Sequence, residues 1–234
     1  MDASAYALVH GARRTRETLA GWQQRPWPVL RAWIAGSLAA ACMLLVAIWT
    51  ISLLATARGA VSLMRPPFLV GGPSDVVRIL GHNMLVLTLH AMACVAGFIA
   101  GSSLPLQARY RTGIARKVHE GGRRFAIAFV VGATCFSLSL QAYSLGITVA
   151  RVALALHASS ALLLVGLLPH ALPELVALFL PLAAWILASR RGEWDQLLAA
   201  TLVTVAFAVP MLVITAVWEV YVAPHLLGAM LGYA

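Results

Sequence analysis

His170, Glu174 and Glu219 are ionisable side chains in or beside apolar runs, and the two glutamates are the only acids within the last two of those runs. His170 and Glu174 are four residues apart, so on a helix they share one face. An imidazole stacked on a carboxylate has the chemistry to relay a proton or to bind a divalent cation. Two ligands are fewer than the three that catalytic zinc sites hold, so no metal site is assigned. The pair sits in "LLPHALPELVALFLPL", Leu167 to Leu182, flanked by Pro169 and Pro173. Proline suits the first turn of a helix, and a carboxylate there meets the positive end of the helix dipole. The cluster therefore reads as a helix-hairpin turn that brings His170 and Glu174 to one membrane edge. Glu219, between Trp218 and Tyr221, reads as an interfacial carboxylate in an aromatic belt or as a third member of the same site.

Further polar groups follow helical spacing. Asn83, Leu87, His90, Cys94, Gly97 and Gly101 recur in steps of four and three, so they line one face. Gly97 and Gly101 form a GxxxG, and Ala93 extends the small-residue ridge; such a ridge packs helices closely within a chain or along a dimer seam. Asn83 and His90 on that face need partners on another helix. Gln141 needs one within the bundle, where interhelical hydrogen bonds act as glue. His157 reads as a structural histidine.

These residues need helices in lipid to position them. Of 234 residues, 61% are hydrophobic and 11% charged, with mean hydropathy +0.87. Soluble domains carry about 25% charged residues. The expected fold is all-α, a polytopic transmembrane helix bundle of about six spans: 32–56, 80–104, 125–148, 152–168, 171–189 and 197–222, each near the length a bilayer needs. The rival is five spans, with 152–189 forming a re-entrant hairpin that turns at the Pro-His segment. The 57–79 segment reads as a Pro/Gly loop in which Ser74 and Asp75 cap the next helix.

The net charge of +9 comes from arginines between apolar runs, where orientation in a membrane explains them and nucleic acid is not needed. Residues 1–31 carry Arg13, Arg14, Arg16, Arg25 and Arg31. Residues 105–124 carry Arg109, Arg111, Arg116, Lys117, Arg123 and Arg124. Positive-inside placement puts both segments, and the N-terminus, in the cytoplasm. Six spans then bring Glu174 and Glu219 to the cytoplasmic edge. The 105–124 segment would dock a soluble partner such as an ATPase, or anionic lipid. Residues 1–31 form a basic segment, with 4–24 an amphipathic helix dipping Leu8, Leu19 and Trp22 into the inner face. The apolar run that follows is too long for a cleavable signal. Residues 32–225 form one membrane domain and 226–234 a tail. Cys42, Cys94 and Cys135 read as small apolar-run residues, not a disulfide framework. The chain has no HExxH, no GxSxG with a suitable histidine and no Walker A motif.

"LLPHALPELVALFLPLAAWIL" resembles the signature of the stage II sporulation protein M family of bacterial integral membrane proteins. That pattern is Pro-His-Gly with a glutamate four residues after the histidine. Pro169, His170 and Glu174 match it, and Ala171 replaces the glycine. Asn83 in "HNMLV" resembles an asparagine that opens an early span of the family. "QAYSLG", from Gln141 to Gly146, stands where the family has Asn-Gly-x-x-Leu-Gly, and Glu219 in "AVWEVYV" matches a late glutamate. The likeness covers roughly residues 75–225. It implies a multi-pass protein of the bacterial inner membrane, without catalysis or cofactor of its own, working in an envelope or transport complex. Some relatives resemble ABC permease halves in layout. The expected function is thus a non-enzymatic membrane subunit, as a homodimer or hetero-complex. The alternatives are a dimeric permease with a separate ATPase and, less supported, an intramembrane metal enzyme.

Overall fold

The computed structural model describes residues 3–59, 71–103 and 112–232. Among them there is no strand. The helices are α1 (Ala3–Gln24), α2 (Pro26–Ala57), α3 (Pro73–Phe98, continued by a π-helical turn, Ile99–Ser103), α4 (Gly113–Ala155), α5 (Ser160–Arg191), α6 (Leu197–Tyr221, preceded by a 3-10 turn, Trp194–Gln196) and α7 (Ala223–Leu231). Five of them, α2 to α6, carry stretches long and apolar enough to cross a membrane. By contacts the chain divides into two compact units, Met1–Ser37 with Val86–Ala133 and Leu178–Ala208, and Leu38–Leu85 with Thr134–Ala177 and Val209–Ala234.

The expected six spans become five because no turn exists at Pro169–Glu174. That segment is the interior of α5, which runs unbroken for 32 residues, and it forms no re-entrant hairpin. A proline inside a helix frees carbonyls about one turn before it. In membrane proteins neighbouring helices can bind them. In the first unit α3 reaches carbonyls beside a further proline of α5: His90 Nδ1 bonds the Leu178 carbonyl at 2.9 Å, and Cys94 Sγ donates to the carbonyl of Pro181 itself at 3.1 Å.

The real turn is "LHAS", Leu156 to Ser159. The Ala158 N–H bonds the Ala153 carbonyl and the His157 N–H that of Leu154, while His157 adopts φ 51°. This is the two-bond left-handed cap that most often uses glycine. Ser159 then caps α5, its hydroxyl accepting from the Leu162 N–H at 3.2 Å. His157→Gly should raise stability by about 1 kcal/mol by removing a left-handed side chain. Ser159→Ala should lower it by about 1 kcal/mol. Thermal unfolding in detergent reads both.

Other boundaries shift too. α3 starts at Pro73, with Pro73 in its first turn and the Asp75 carboxylate accepting the Gly72 N–H at 3.1 Å. Residues 60–70 of the expected loop lie outside the described residues. The basic 105–124 segment is not all loop, because α4 begins at Gly113. Arg109 and Arg111 lie outside the described residues, as do the side chains of Arg116, Lys117 and Arg123; Arg124 is exposed. The expected tail, 226–234, begins in α7, whose Leu227 packs with Val152, Ala153 and Leu163 in the second unit. α1 is helical as expected, and Trp22 meets Trp33 edge to face, 5.1 Å between centroids, within the first unit. The side chain of Leu8 lies outside those described.

The predicted α3 stripe is real. Leu87, His90, Cys94 and Gly97 are buried in the first unit. Gly97 abuts Trp185 and Leu197, and Gly101 abuts Trp194, so this small-residue ridge packs within the chain and offers no dimer seam. Ala93 is buried with it.

Candidate functional site

Residues far apart in the chain form a polar cluster in the second unit. Asn83 lies ten positions into α3, on the buried end of the stripe. Its Nδ2 donates to Oε1 of Glu174 on α5 at 2.9 Å. Asn83 is 5% exposed. Thr215, also buried, lies one turn before Glu219 on α6 and stands beside the same carboxylate. Glu219 is close enough for its charge to act on Glu174. Arg78, one and a half turns before Asn83 on α3, acts in turn on Glu219 and is ion-paired with Asp75 at 2.9 Å.

Each position has a local cause. Glu174 is not in a first helical turn, as the proline pattern implied; it lies about 21 Å along α5 at 1.5 Å per residue. No free N-terminal amides are available to it there, so its stabilising donor has to come from another helix. Asn83 supplies it. Glu219 lies in the last turn of α6, where the dipole disfavours a carboxylate. The Arg78 guanidinium offsets that and the repulsion from Glu174. Thr215 Oγ1 also donates to the Leu212 carbonyl at 3.2 Å.

Of the expected trio, Glu174 and Glu219 come together. His170 does not join them by any ion pair or hydrogen bond. It is 4% exposed, and its Nδ1 has no hydrogen-bond partner. Pro169 is exposed. Gln141 does not bridge helices: its Nε2 donates to Ser137 Oγ on its own helix at 3.1 Å. Sequence reasoning missed Thr215 and Arg78. The four-residue spacing from Thr215 to Glu219 was the available signal for the first; nothing local marked Arg78.

Among the described residues, no three His, Cys, Asp or Glu side chains come together in a way that could hold a metal ion. The arrangement suits binding or passing a proton, or holding a cationic group between two carboxylates with amide and hydroxyl ligands beside them. No family model, no curated protein and no solved structure matches the chain.

Proposed function

We propose that the protein is a non-enzymatic integral membrane subunit of a bacterial envelope or transport complex, resembling stage II sporulation protein M. One observation carries this reading. Asn83, Glu174 and Glu219, three of the residues on which the resemblance rests, meet in one cluster although 91 and 45 positions separate them in the chain. Ionisable groups in membrane spans are retained where they serve function.

Positive-inside placement keeps residues 1–31 and the basic start of α4 in the cytoplasm. With five spans the C-terminal end of α6 then faces outward. Glu219 and Arg78, at the ends of their helices, lie toward the outer surface and not at the cytoplasmic edge that six spans imply. The permease reading is favoured by the same cluster, which would line or gate a path in a protein driven by a separate ATPase.

Co-purification from native membranes in mild detergent, with mass spectrometry, tests both. Envelope proteins recovered in fixed ratio support the subunit reading. An ATP-binding protein in fixed ratio selects the permease reading. Recovery of the chain without any other protein would sink the hetero-complex. Glu174→Leu should reduce partner recovery at least tenfold while the protein still reaches the membrane.

A further inference from the structure

Among the described residues, the least covered of the five long apolar helices is also the least apolar of them. Only 11% of the apolar stretch of α4 is buried, against 28–56% in the others. A helix left facing hydrocarbon should carry the fewest polar groups, since lipid offers no hydrogen-bond partner. In α4 the reverse holds, and the polar residues are ordered. Thr134, Ser137, Gln141, Ser144 and Thr148 recur in steps of three, four, three and four, which places them on one face.

That face is open to different degrees. Thr134, Ser137 and Gln141 are partly buried; Ser144 and Thr148 are exposed. It differs from the face α4 uses within its own unit, where Ala142, Val149 and Ala153 are buried and Gly146 meets Ile48 and Ile51 of α2. Thr148 satisfies its hydroxyl on the Ser144 carbonyl at 2.9 Å. Gln141 is different. One amide hydrogen reaches Ser137 Oγ, which leaves the other hydrogen and the amide oxygen to be matched in the middle of a span.

We propose that this face is the seam of a homodimer, in which Gln141 pairs reciprocally with Gln141 of a second copy. The chemistry of the stripe selects the occupant. Two copies inserted with the same orientation present α4 in parallel about a two-fold axis along the membrane normal, and residues near that axis face themselves. A charge there would repel its copy. An amide or hydroxyl is both donor and acceptor, so it is complementary to itself. Every polar group from Thr134 to Thr148 on this face is of that kind. The first charge on it, Arg151, lies about 15 Å beyond Gln141 at 1.5 Å per residue. The more obvious seam, Gly97 and Gly101, is filled by tryptophans of the chain itself. The inference goes beyond the proposed subunit role and stands or falls without it.

Disulfide scanning of the full chain in native membranes tests it. Single cysteines at positions 136 to 148, in a background with Cys42, Cys94 and Cys135 replaced by alanine, are oxidised and scored as dimers. Crosslinking should peak at 137, 141, 144 and 148 and fall at 139 and 143. A peak on the 136, 139 and 143 face, a flat profile, or crosslinks to a different protein would each overturn the proposal. In bilayers at graded dilution, Gln141→Leu should weaken self-association about threefold or more, and Gln141→Asn should retain it. Association unchanged by Gln141→Leu also overturns it. A chain that dimerises through this face yet co-purifies with nothing else keeps the seam and removes the complex.

Discussion

Gly101→Ala should destabilise the protein by about 3 kcal/mol, toward the upper end of what overpacking costs in a well-filled core. A methyl group at Gly101 would overlap Cβ, Cγ and Cδ2 of Trp194. Trp194 is 7% exposed, and the 3-10 turn that holds it, Trp194–Gln196, leads directly into α6. The ring has no free end that can swing aside. Gly132→Ala provides the contrast. Nothing lies within 4 Å of a methyl group there, so alanine should gain up to about 1 kcal/mol from helix propensity alone. Thermal unfolding in detergent, with both variants in parallel, should show opposite signs. Trp194→Gly should cost stability by itself, and adding Gly101→Ala to it should cost little more, because every Trp194 side-chain atom that the methyl group would meet is gone. Equal and small effects at Gly101 and Gly132 would mean that the α3 ridge is not packed as described.

Asn83→Ala should cost about 2 kcal/mol. It strips a carboxylate of the amide donor 2.9 Å away, and hydrogen bonds to charged groups are worth about 1.5–3 kcal/mol. The loss comes from the partner left behind more than from the bond removed. Glu174→Gln should cost less than Asn83→Ala, because an amide at 174 still accepts from Asn83 and no longer meets the charge of Glu219. The double variant Asn83→Ala with Glu174→Leu should therefore lose less than the sum of its singles. A double-mutant cycle by unfolding in bilayers reads that coupling; a value under about 0.5 kcal/mol would show that the two side chains do not depend on each other.

The hairpin turn shows how far local sequence carries. Two turns join α4 to α5 and α5 to α6. In the second, Gly192 adopts φ 74° and the Glu193 N–H bonds the Ala188 carbonyl. It was legible, because glycine and charged residues interrupt the apolar run there. The first uses the same kind of cap with His157 in the glycine position, followed by Ser159 as the cap of α5. A histidine in the left-handed region carries no sequence mark, whereas two prolines twelve and sixteen positions later are conspicuous. Prolines break helices in water because the freed carbonyls and the ring clash are uncompensated. Inside a membrane protein, neighbouring helices can satisfy such carbonyls, and α5 runs unbroken through Pro169, Pro173 and Pro181. Turns were expected near 149–151 and again at the prolines; the one turn lies between them, at Leu156–Ser159, and the additional turn expected at the prolines is what added a span.

The amino-acid sequence by itself determined the solvent, the helical class and the faces. Composition requires lipid, and lipid requires backbone groups satisfied within each segment, which leaves helices for apolar runs of this length. The 83-87-90-94-97 stripe follows from 3.6 residues per turn and was readable before any contact was known. Partners were not readable, because they depend on which helices lie side by side and in what register. Tertiary structure alone assigned Asn83 to Glu174 and placed Glu219 and Thr215 beside that carboxylate. It also set Trp194 on Gly101, gave Gln141 no partner beyond its own helix, and left His170 buried without one for its Nδ1. Spacing along the chain sets a side chain's direction, whereas packing between helices decides what it meets.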